Sequence, residues 1–110
     1  MGEVTPKYKT VRGKCSDDPV TMGRYWPDVQ VIELFVDTIK YAARNWNCSY
    51  EDLKRMVILH EECHHKNSSL KLTSGQDEQL ADQYAFWKFI KEAGRWPDVP
   101  KEMWFERRYV

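Results

Sequence analysis

Apolar and polar residues alternate in the first third of the chain with the two-residue period of β-strands. Residues 7–12 alternate, which predicts a short strand with one solvent-exposed face. Residues 21–26 predict a second strand that ends at a Pro-Asp turn. The run 29–36 is β-branched and aromatic, which is typical of a buried strand, but it could also begin a long amphipathic helix that continues to Trp46.

The middle of the chain changes to the spacing of an amphipathic helix. Ser49 and Asp52 resemble a capping box at its start, where acidic residues also suit the positive end of the helix. An apolar stripe follows at helical spacing and leads to the first histidine; it consists of Leu53, Met56, Val57 and His60. We expect this helix to end near residues 66–67.

A further helix is predicted after a polar link at residues 68–75. Ser74 and Asp77 again resemble a capping box, and Gly94 is a natural terminator just after the expected end at Ala93. The expected packing face of this helix consists of Leu80, Tyr84, Trp87 and Ile90, and Phe86 and Phe89 are further candidates for burial. The aromatic tail that follows would either pack onto the body of the protein or serve as a partner-binding segment.

Length and composition predict one folded domain over residues 1–110, and its C-terminal tail at 94–110 begins at the expected terminator Gly94. Of the 110 residues, 42% are hydrophobic and 14% are aromatic, so the chain can bury a core instead of remaining disordered. The 17 basic and 17 acidic residues balance. This composition lacks the basic footprint of a nucleic-acid-binding domain.

Cysteine usage and hydropathy predict where the protein acts. Cys15, Cys48 and Cys63 form no Cys-x-x-Cys pair, which argues against a disulfide framework and favours a reducing compartment. The first residues lack the apolar region of a secretion signal. No apolar run approaches the length that spans a bilayer. We therefore expect a cytoplasmic protein with no membrane partner.

The most informative motif is residues 60–64, which read His-Glu-Glu-Cys-His and match H-E-x-x-H. In a helix, His60 and His64 lie one turn apart on the same face, so both imidazoles can reach one ion. Zinc suits such ligands and keeps one position open where it is catalytic. Glu61 would lie beside the first ligand, where it can accept a proton from metal-activated water. The apolar run 56–59 should bury this helix, which argues against a chance motif of solvated side chains.

The predicted third helix offers a third ligand. Glu78 and Asp82 are four residues apart and therefore share a face. Glu78 could complete the coordination, while Asp82 could accept the Nδ1–H of a ligating histidine and fix its tautomer. The small Ala81 and Ala85 would let the two helices approach closely. The alternative is that acidic residues only suit a helix start, which explains Asp77 and Glu78 better than Asp82.

The two motifs together resemble the zincin metallopeptidases, specifically the gluzincin branch, whose third zinc ligand is a helical Glu. The form Glu-x-x-Ala-Asp-x-Tyr-Ala at residues 78–85 is similar to small phage and stress-regulator peptidases that cleave repressors. The resemblance covers about residues 22–93. It implies one zinc ion and the following site residues: His60, His64 and Glu78 as ligands, Glu61 as general base, and Asp82 in support of a ligand.

The resemblance also implies a fold. We expect an α+β domain in which a small antiparallel or mixed sheet packs on the motif helix and on the second ligand-bearing helix. This arrangement favours a strand to about Val36 and a helix after it. A substrate peptide would lie extended along an edge strand at residues 31–36. Tyr84, Tyr50 or an arginine of the tail would stabilise the oxyanion.

Three functions fit these residues. The first is a zinc-dependent metallopeptidase that hydrolyses peptide bonds in a peptide or protein substrate with metal-activated water and a Glu base. The second is a non-catalytic zinc-binding interaction or regulatory domain. In a variant of the metal site, His60, Cys63 and His64 form a local cluster that competes with Glu78. The third is a small α+β interaction domain without a metal, in which the motif arose by chance.

Overall fold

The computed structural model of the protein describes residues 7–11, 20–68 and 70–106. Cys15 and two of the tail arginines named as oxyanion candidates, Arg107 and Arg108, lie outside these ranges. The described residues form an α+β fold with a mixed three-stranded sheet and four helices. This confirms the predicted α+β class and the mixed sheet, while the zincin-like arrangement stays a prediction. The elements in chain order are β1 (Lys7–Val11), β2 (Gly23–Trp26), β3 (Val31–Phe35), α1 (Val36–Asn45), α2 (Tyr50–Lys66), α3 (Ser74–Ala93) and α4 (Lys101–Glu106).

The sheet has the order β1-β3-β2, so β3 is its central strand. It pairs in parallel with β1 and antiparallel with β2. The prediction that residues 31–36 form an edge strand for a substrate is therefore wrong. The side chains of Ile32 and Leu34 are fully buried, because this strand is covered on both edges and on one face. The strand ends at Phe35 and helix α1 begins at Val36, as expected.

Strand β2 runs directly against helix α2. A Cβ atom added at Gly23 would lie 2.7 Å from Cγ1 of Val57, a distance that real Cβ contacts do not reach, and 3.5 Å from Cγ of Glu61. Glycine is therefore needed where β2 crosses this helix. The close crossing brings the edge strand β2 next to the H-E-x-x-H motif.

The core is formed by side chains of the sheet and of helices α1, α2 and α3, and α4 adds to one side of it. Residues 56–59 are all buried, as their apolar run predicts. The largest fully buried side chains are Trp104, Ile32, Leu34, Ile39, Leu53, Met56 and Leu59. Trp104 belongs to α4, so the aromatic tail packs onto the body of the protein.

The expected packing face of α3 is wrong in two positions. Leu80 and Trp87 are 42% and 56% exposed. The buried residues of α3 are Ala81, Asp82, Ala85, Phe86 and Phe89, and they include the two alanines that were expected between α2 and α3. The two alanines are fully buried, because two helices that approach closely need small side chains between them. Lysine side chains lie over the large aromatic rings on the exposed side of α3. For example, Lys91 Nζ lies 4.8 Å from the Trp87 ring centroid.

The helix ends match the predictions at three of four positions. Ser49 caps α2 by accepting the backbone N–H of Asp52, and α2 ends at Lys66. Helix α3 ends at Gly94, which adopts the left-handed conformation that glycine tolerates. The predicted cap at Ser74 is one residue too late. Thr73 caps α3 in a capping box with Gln76.

Within the described residues, none of the helices combines the length and the apolar character needed to cross a bilayer.

Candidate metal centre

Helix α2 presents His60 and His64 one turn apart on the face that meets α3. Their rings form an edge contact with centroids 4.7 Å apart, and their Nε2 atoms are 3.0 Å apart. His60 is buried, while His64 is half-buried and lines a cavity. The apolar stripe below the histidines anchors α2 in the core, so both rings are fixed at the boundary between the core and the cavity.

Helix α3 brings Glu78 to the same point. One carboxylate oxygen of Glu78 lies 3.2 Å from Nε2 of His60, and the other lies 3.2 Å from Nε2 of His64. One ligand atom from each of the three side chains lies within 4.8 Å of the other two. The structure thus brings together the three residues predicted as zinc ligands. Their role as ligands stays a prediction.

Cys63 does not join this group. Within the part of the chain that the structure describes, the His, Cys, Asp and Glu side chains whose ligand atoms converge are His60, His64 and Glu78. The buried thiol of Cys63 instead accepts a hydrogen bond from the side chain of Asn67. Burial raises the pKa of this thiol to about 11, which disfavours the thiolate that binds metals. The geometry therefore favours Glu78 over the alternative cysteine ligand.

Each histidine is also held from its other nitrogen by a carboxylate of α3. Nδ1–H of His60 donates to the buried Asp82 at 2.9 Å, in the arrangement expected from the sequence. Nδ1–H of His64 donates to Asp77 at 2.8 Å. Because the Nδ1 atoms face carboxylates, the Nε2 atoms are left to act as ligands.

Asp77 is a site residue that the sequence interpretation assigned only to a helix start. The capping box of α3 is complete without it, because Thr73 and Gln76 satisfy each other. The second oxygen of Asp77 is buried and has no hydrogen-bond partner among the described residues. In the sequence, the position of Asp77 directly before Glu78 was the feature that could have indicated this role. Two acidic residues in one helical turn can reach the two nitrogens of the same imidazole.

The donor set fits a divalent cation. Two imidazole nitrogens and one carboxylate are ligands that zinc prefers, and carboxylates beside the Nδ1 atoms orient such ligands in metal sites. Glu61 lies beside this set, with a carboxylate oxygen 3.8 Å from Nε2 of His60. It is not one of the three side chains whose ligand atoms converge.

The electrostatics of the site favour positive charge. Burial alone would lower the pKa of His64, but the hydrogen bond with Glu78 and the charges of Glu61, Glu78 and Asp77 raise it to about 9. A proton on His64 is thus one way in which the surrounding carboxylates gain a cation. A metal ion would compete with that proton for the same nitrogen.

Trp104 is a second residue of the site that the sequence did not reveal. Its indole N–H donates to the backbone carbonyl of Asp82 at 3.3 Å, and its ring makes an edge contact with His60 at 6.0 Å between centroids. Helix α4 thereby supports both His60 and its carboxylate partner. In the sequence, the tail is recognisable only as a cluster of aromatic residues, and nothing in it indicates which surface of the protein the cluster covers.

The site opens into a cavity of about 1120 Å³. His60, Glu61, His64 and Glu78 line it together with the edge strand β2 and one face of α1. Neither Tyr84 nor Tyr50, which were expected near the oxyanion, is among its lining residues. Both are instead packed against lysine side chains elsewhere on the surface.

Tyr25 of β2 does line the cavity. Its hydroxyl lies 2.6 Å from Nδ1 of His65, and burial raises the pKa of this hydroxyl. All three histidines of the motif region therefore have defined partners, with His65 directed to the strand and not to the ligand cluster.

Comparison of the chain with protein-family models, with curated proteins and with solved structures gives no match. The geometry of the site is therefore the basis for a function.

Proposed function

We propose that the protein is a zinc-dependent metallopeptidase with a zincin-like arrangement of its two ligand-bearing helices. The observation that carries the proposal is the convergence of His60 and His64 Nε2 on the two oxygens of Glu78, with Glu61 beside them at the wall of a cavity. A cavity of about 1120 Å³ is large enough to receive several residues of a peptide.

The residues divide into groups that hold the metal, orient the ligands and transfer protons. His60, His64 and Glu78 would hold zinc, which when bound supplies a Lewis acid that polarises the peptide carbonyl and acidifies water. Asp82 and Asp77 keep the two imidazoles in the orientation that ligation requires. Glu61 accepts a proton from the attacking water and passes it to the leaving amine.

The edge strand β2 supports a peptide as the substrate. Among the described strands it is the one that ends the sheet on the side of the cavity, and Gly23–Trp26 line that cavity in part. An extended peptide or an unfolded segment of a protein would add to this edge through main-chain hydrogen bonds. The strand assigned to this role from the sequence, β3, is central and cannot receive it.

The free thiols of Cys48 and Cys63 are consistent with activity in a reducing, cytoplasmic compartment.

The test is the substitution Glu61→Gln in zinc-loaded protein. It should lower kcat by at least about 100-fold, because it removes the general base, and should leave one zinc ion per chain. Glu62→Gln is the matched control, since it changes the neighbouring carboxylate in the same way and Glu62 does not line the cavity. Peptide cleavage and zinc content are measured together. Wild-type cleavage rates in Glu61→Gln would show that Glu61 is not the base.

A non-catalytic zinc-binding domain is the second candidate, and the burial of Glu61 favours it. The Glu61 side chain is 9% exposed, which limits the access of water to the proposed base. In this case zinc would bind with the same ligands, and a protein partner would fill its open position. Tight zinc binding by wild type, with no peptide cleaved under any zinc loading, would support this candidate over the peptidase.

A further inference from the structure

Helix α3 has a second apolar face, on the side opposite its buried residues. This face consists of Leu80, Tyr84 and Trp87, and Lys91 continues it by one turn. Leu80 and Trp87 are exposed and Tyr84 is half-buried, although hydropathy favours burial of all three. A helix that is apolar on two sides is typical of one with packing neighbours on both.

The residues of this second face form a continuous line along the helix. Positions 80, 84, 87 and 91 are separated by steps of four, three and four residues, which is the spacing with which one α-helix packs along another. The rings of Tyr84 and Trp87 lie side by side, with centroids 6.5 Å apart. We call Leu80, Tyr84, Trp87 and Lys91 the outer seam of α3.

Positive charge accompanies the aromatic rings of the outer seam. Lys66 Nζ lies 5.3 Å from the centroid of the Tyr84 ring. Lys91 Nζ lies 4.8 Å from the centroid of the Trp87 ring. Both lysines are exposed, so their ammonium groups can be reached by a partner that covers the rings.

Within residues 79–91, α3 presents cations to solvent and no anion. The acidic residue of this range is Asp82, which is buried and belongs to the candidate metal centre. The basic residues are Lys88, which is partly exposed, and Lys91. Glu92, one position beyond, accepts a hydrogen bond from Arg55 at 2.8 Å. A surface with this combination of rings and cations is complementary to one that combines apolar residues and carboxylates.

We propose that the outer seam binds an acidic amphipathic helix of a protein partner. The spacing of the seam selects a helix, its rings gain apolar contacts, and the lysines select carboxylates on the flanks of the partner. The inference goes beyond the proposed peptidase function and does not depend on it, because the seam lies on the side of α3 opposite Asp82.

Two other occupants fit the charges less well. A second copy of the same seam would supply no carboxylate to Lys66 and Lys91. An anionic membrane surface is usually bound by clusters of about four to eight cations, whereas the lysines at this seam are Lys66, Lys88 and Lys91. An acidic helix gives each lysine a partner and covers the rings as well.

The probe is a dye-labelled synthetic peptide of about three heptads, with Leu at its seam positions and Glu beside them. A matched peptide carries Lys in place of every Glu. Binding to the full chain is measured by fluorescence anisotropy. The acidic peptide should bind saturably and at least about 10-fold more tightly than the basic one, and the difference should shrink at high salt. Equal affinities, or no binding of the acidic peptide, would overturn the inference.

The location of the site is tested by comparing Trp87→Ala with Trp96→Ala. Trp96 is the matched control, because it is 62% exposed, carries Lys101 Nζ at 5.5 Å from its ring centroid and lies outside the seam. Trp87→Ala should weaken binding of the acidic peptide about 10-fold or more, as the loss of a central aromatic contact does. Trp96→Ala should bind as wild type. Equal affinities of the two variants would overturn the seam as the site.

The charge requirement is tested by Lys91→Glu, with Lys101→Glu as the control on the other lysine that lies over an exposed Trp. Lys91→Glu should weaken binding of the acidic peptide and strengthen binding of the basic one, each several-fold. Lys101→Glu should leave both affinities as in wild type. The same affinities in Lys91→Glu as in wild type would overturn the role of charge in the proposed partner.

The two other occupants are tested on the protein without peptide. Sedimentation equilibrium detects self-association, and flotation with phosphatidylserine vesicles detects membrane binding. A monomer that does not float with the vesicles would support the acidic helix as the occupant. A dimer, or vesicle binding, that is lost in Trp87→Ala would overturn the inference in favour of a second copy or a membrane surface.

Discussion

The two ends of helix α2 carry charged contacts of opposite kinds. Near its N-terminus, the carboxylate of Asp52 accepts two hydrogen bonds from the guanidinium of Arg95, at 2.8 and 2.9 Å, and one from the backbone N–H of Asp98 at 2.7 Å. Near its C-terminus, His60 and His64 meet carboxylates through both of their ring nitrogens.

The difference lies in where the cation comes from. At the Asp52 end the chain supplies its own, and the hydrogen bond with Arg95 lowers the pKa of Asp52 against the effect of burial. At the histidine end, two imidazoles are surrounded by the carboxyl groups of Glu61, Asp77, Glu78 and Asp82. The first end is a structural clamp that joins α2 to the segment after α3. The second end has the charge and the converging nitrogens of a site for an external cation.

The largest effect is expected from a substitution that disrupts only the histidine end of α2. His64→Ala should lower zinc affinity by more than about 100-fold, because the loss of a ligand exceeds the loss of a residue that orients one. His65→Ala is the matched control and should bind zinc with wild-type affinity. His65 contacts Tyr25 and is not one of the three side chains whose ligand atoms converge. Affinities are measured by competition with a chromophoric chelator. Equal losses in both variants would mean that the cluster does not hold the ion.

A smaller effect is expected from the carboxylates behind the ligands. Asp82→Asn and Asp77→Asn should each lower zinc affinity about 10- to 100-fold, because the imidazoles lose the charge that orients them and raises their basicity. Gln79→Ala, on an exposed position of the same helix, is the control. The zinc affinities of these variants are measured by the same competition with a chelator. If only Asp82→Asn weakened binding, the contact of Asp77 with His64 would be incidental to the metal.

Sequence patterns were sufficient for the elements that local chemistry defines. The presence of strand β1, the cap at Ser49 and the terminator at Gly94 depend on neighbours within a few residues, and all three agree with the structure. The single exposed face predicted for β1 is wrong, because Lys7 to Thr10 are all exposed. The order of the strands was not accessible in this way. β3 is central because the distant strand β1 pairs with one of its edges, while β2 pairs with the other across the turn at residues 27–30. Hydropathy alone does not distinguish a central strand from an edge strand with one buried face.

The site was predictable where one helix defines it, and less so where several elements meet. The spacing of His60 and His64 fixes their common face, and the spacing of Glu78 and Asp82 does the same for α3. Trp104 and Tyr25 reach the site from α4 and β2, and their contacts follow from tertiary packing. Leu80 and Trp87 of α3 were wrongly expected to be buried for a related reason. The packing of neighbouring helices decides which residues of α3 are buried, and hydropathy does not reveal it.

A third prediction breaks the Asp52 end alone. Asp52→Ala should lower the free energy of unfolding by about 2 kcal/mol. The substitution removes a buried carboxylate that accepts charged hydrogen bonds, and the backbone N–H of Asp98 loses its acceptor. Zinc affinity should remain unchanged. Glu51→Ala is the control, since Glu51 is the exposed acidic neighbour in the same helical turn. Urea denaturation measures the difference. A fall in zinc affinity as large as that in His64→Ala would show that the two ends are coupled.

The finest distinction between the two ends is their response to pH in the metal-free protein. The folded pKa of Asp52 is lowered, so its contribution to stability is present above its unfolded pKa of about 4 and is lost as the pH falls through the folded value. The folded pKa of His64 is raised to about 9. Its contribution is therefore complete below its unfolded pKa of about 6.5 and is lost as the pH rises through about 9.

Urea denaturation of metal-free wild type, Asp52→Asn and His64→Ala across this pH range separates the two contributions. The difference in unfolding free energy between wild type and Asp52→Asn should shrink only on the acid side, because protonation of Asp52 removes the charge that Arg95 binds. The difference between wild type and His64→Ala should shrink only on the basic side, because a neutral His64 no longer offsets the carboxylates around it. Two differences that shrink on the same side would contradict the opposite charge requirements of the two ends of α2.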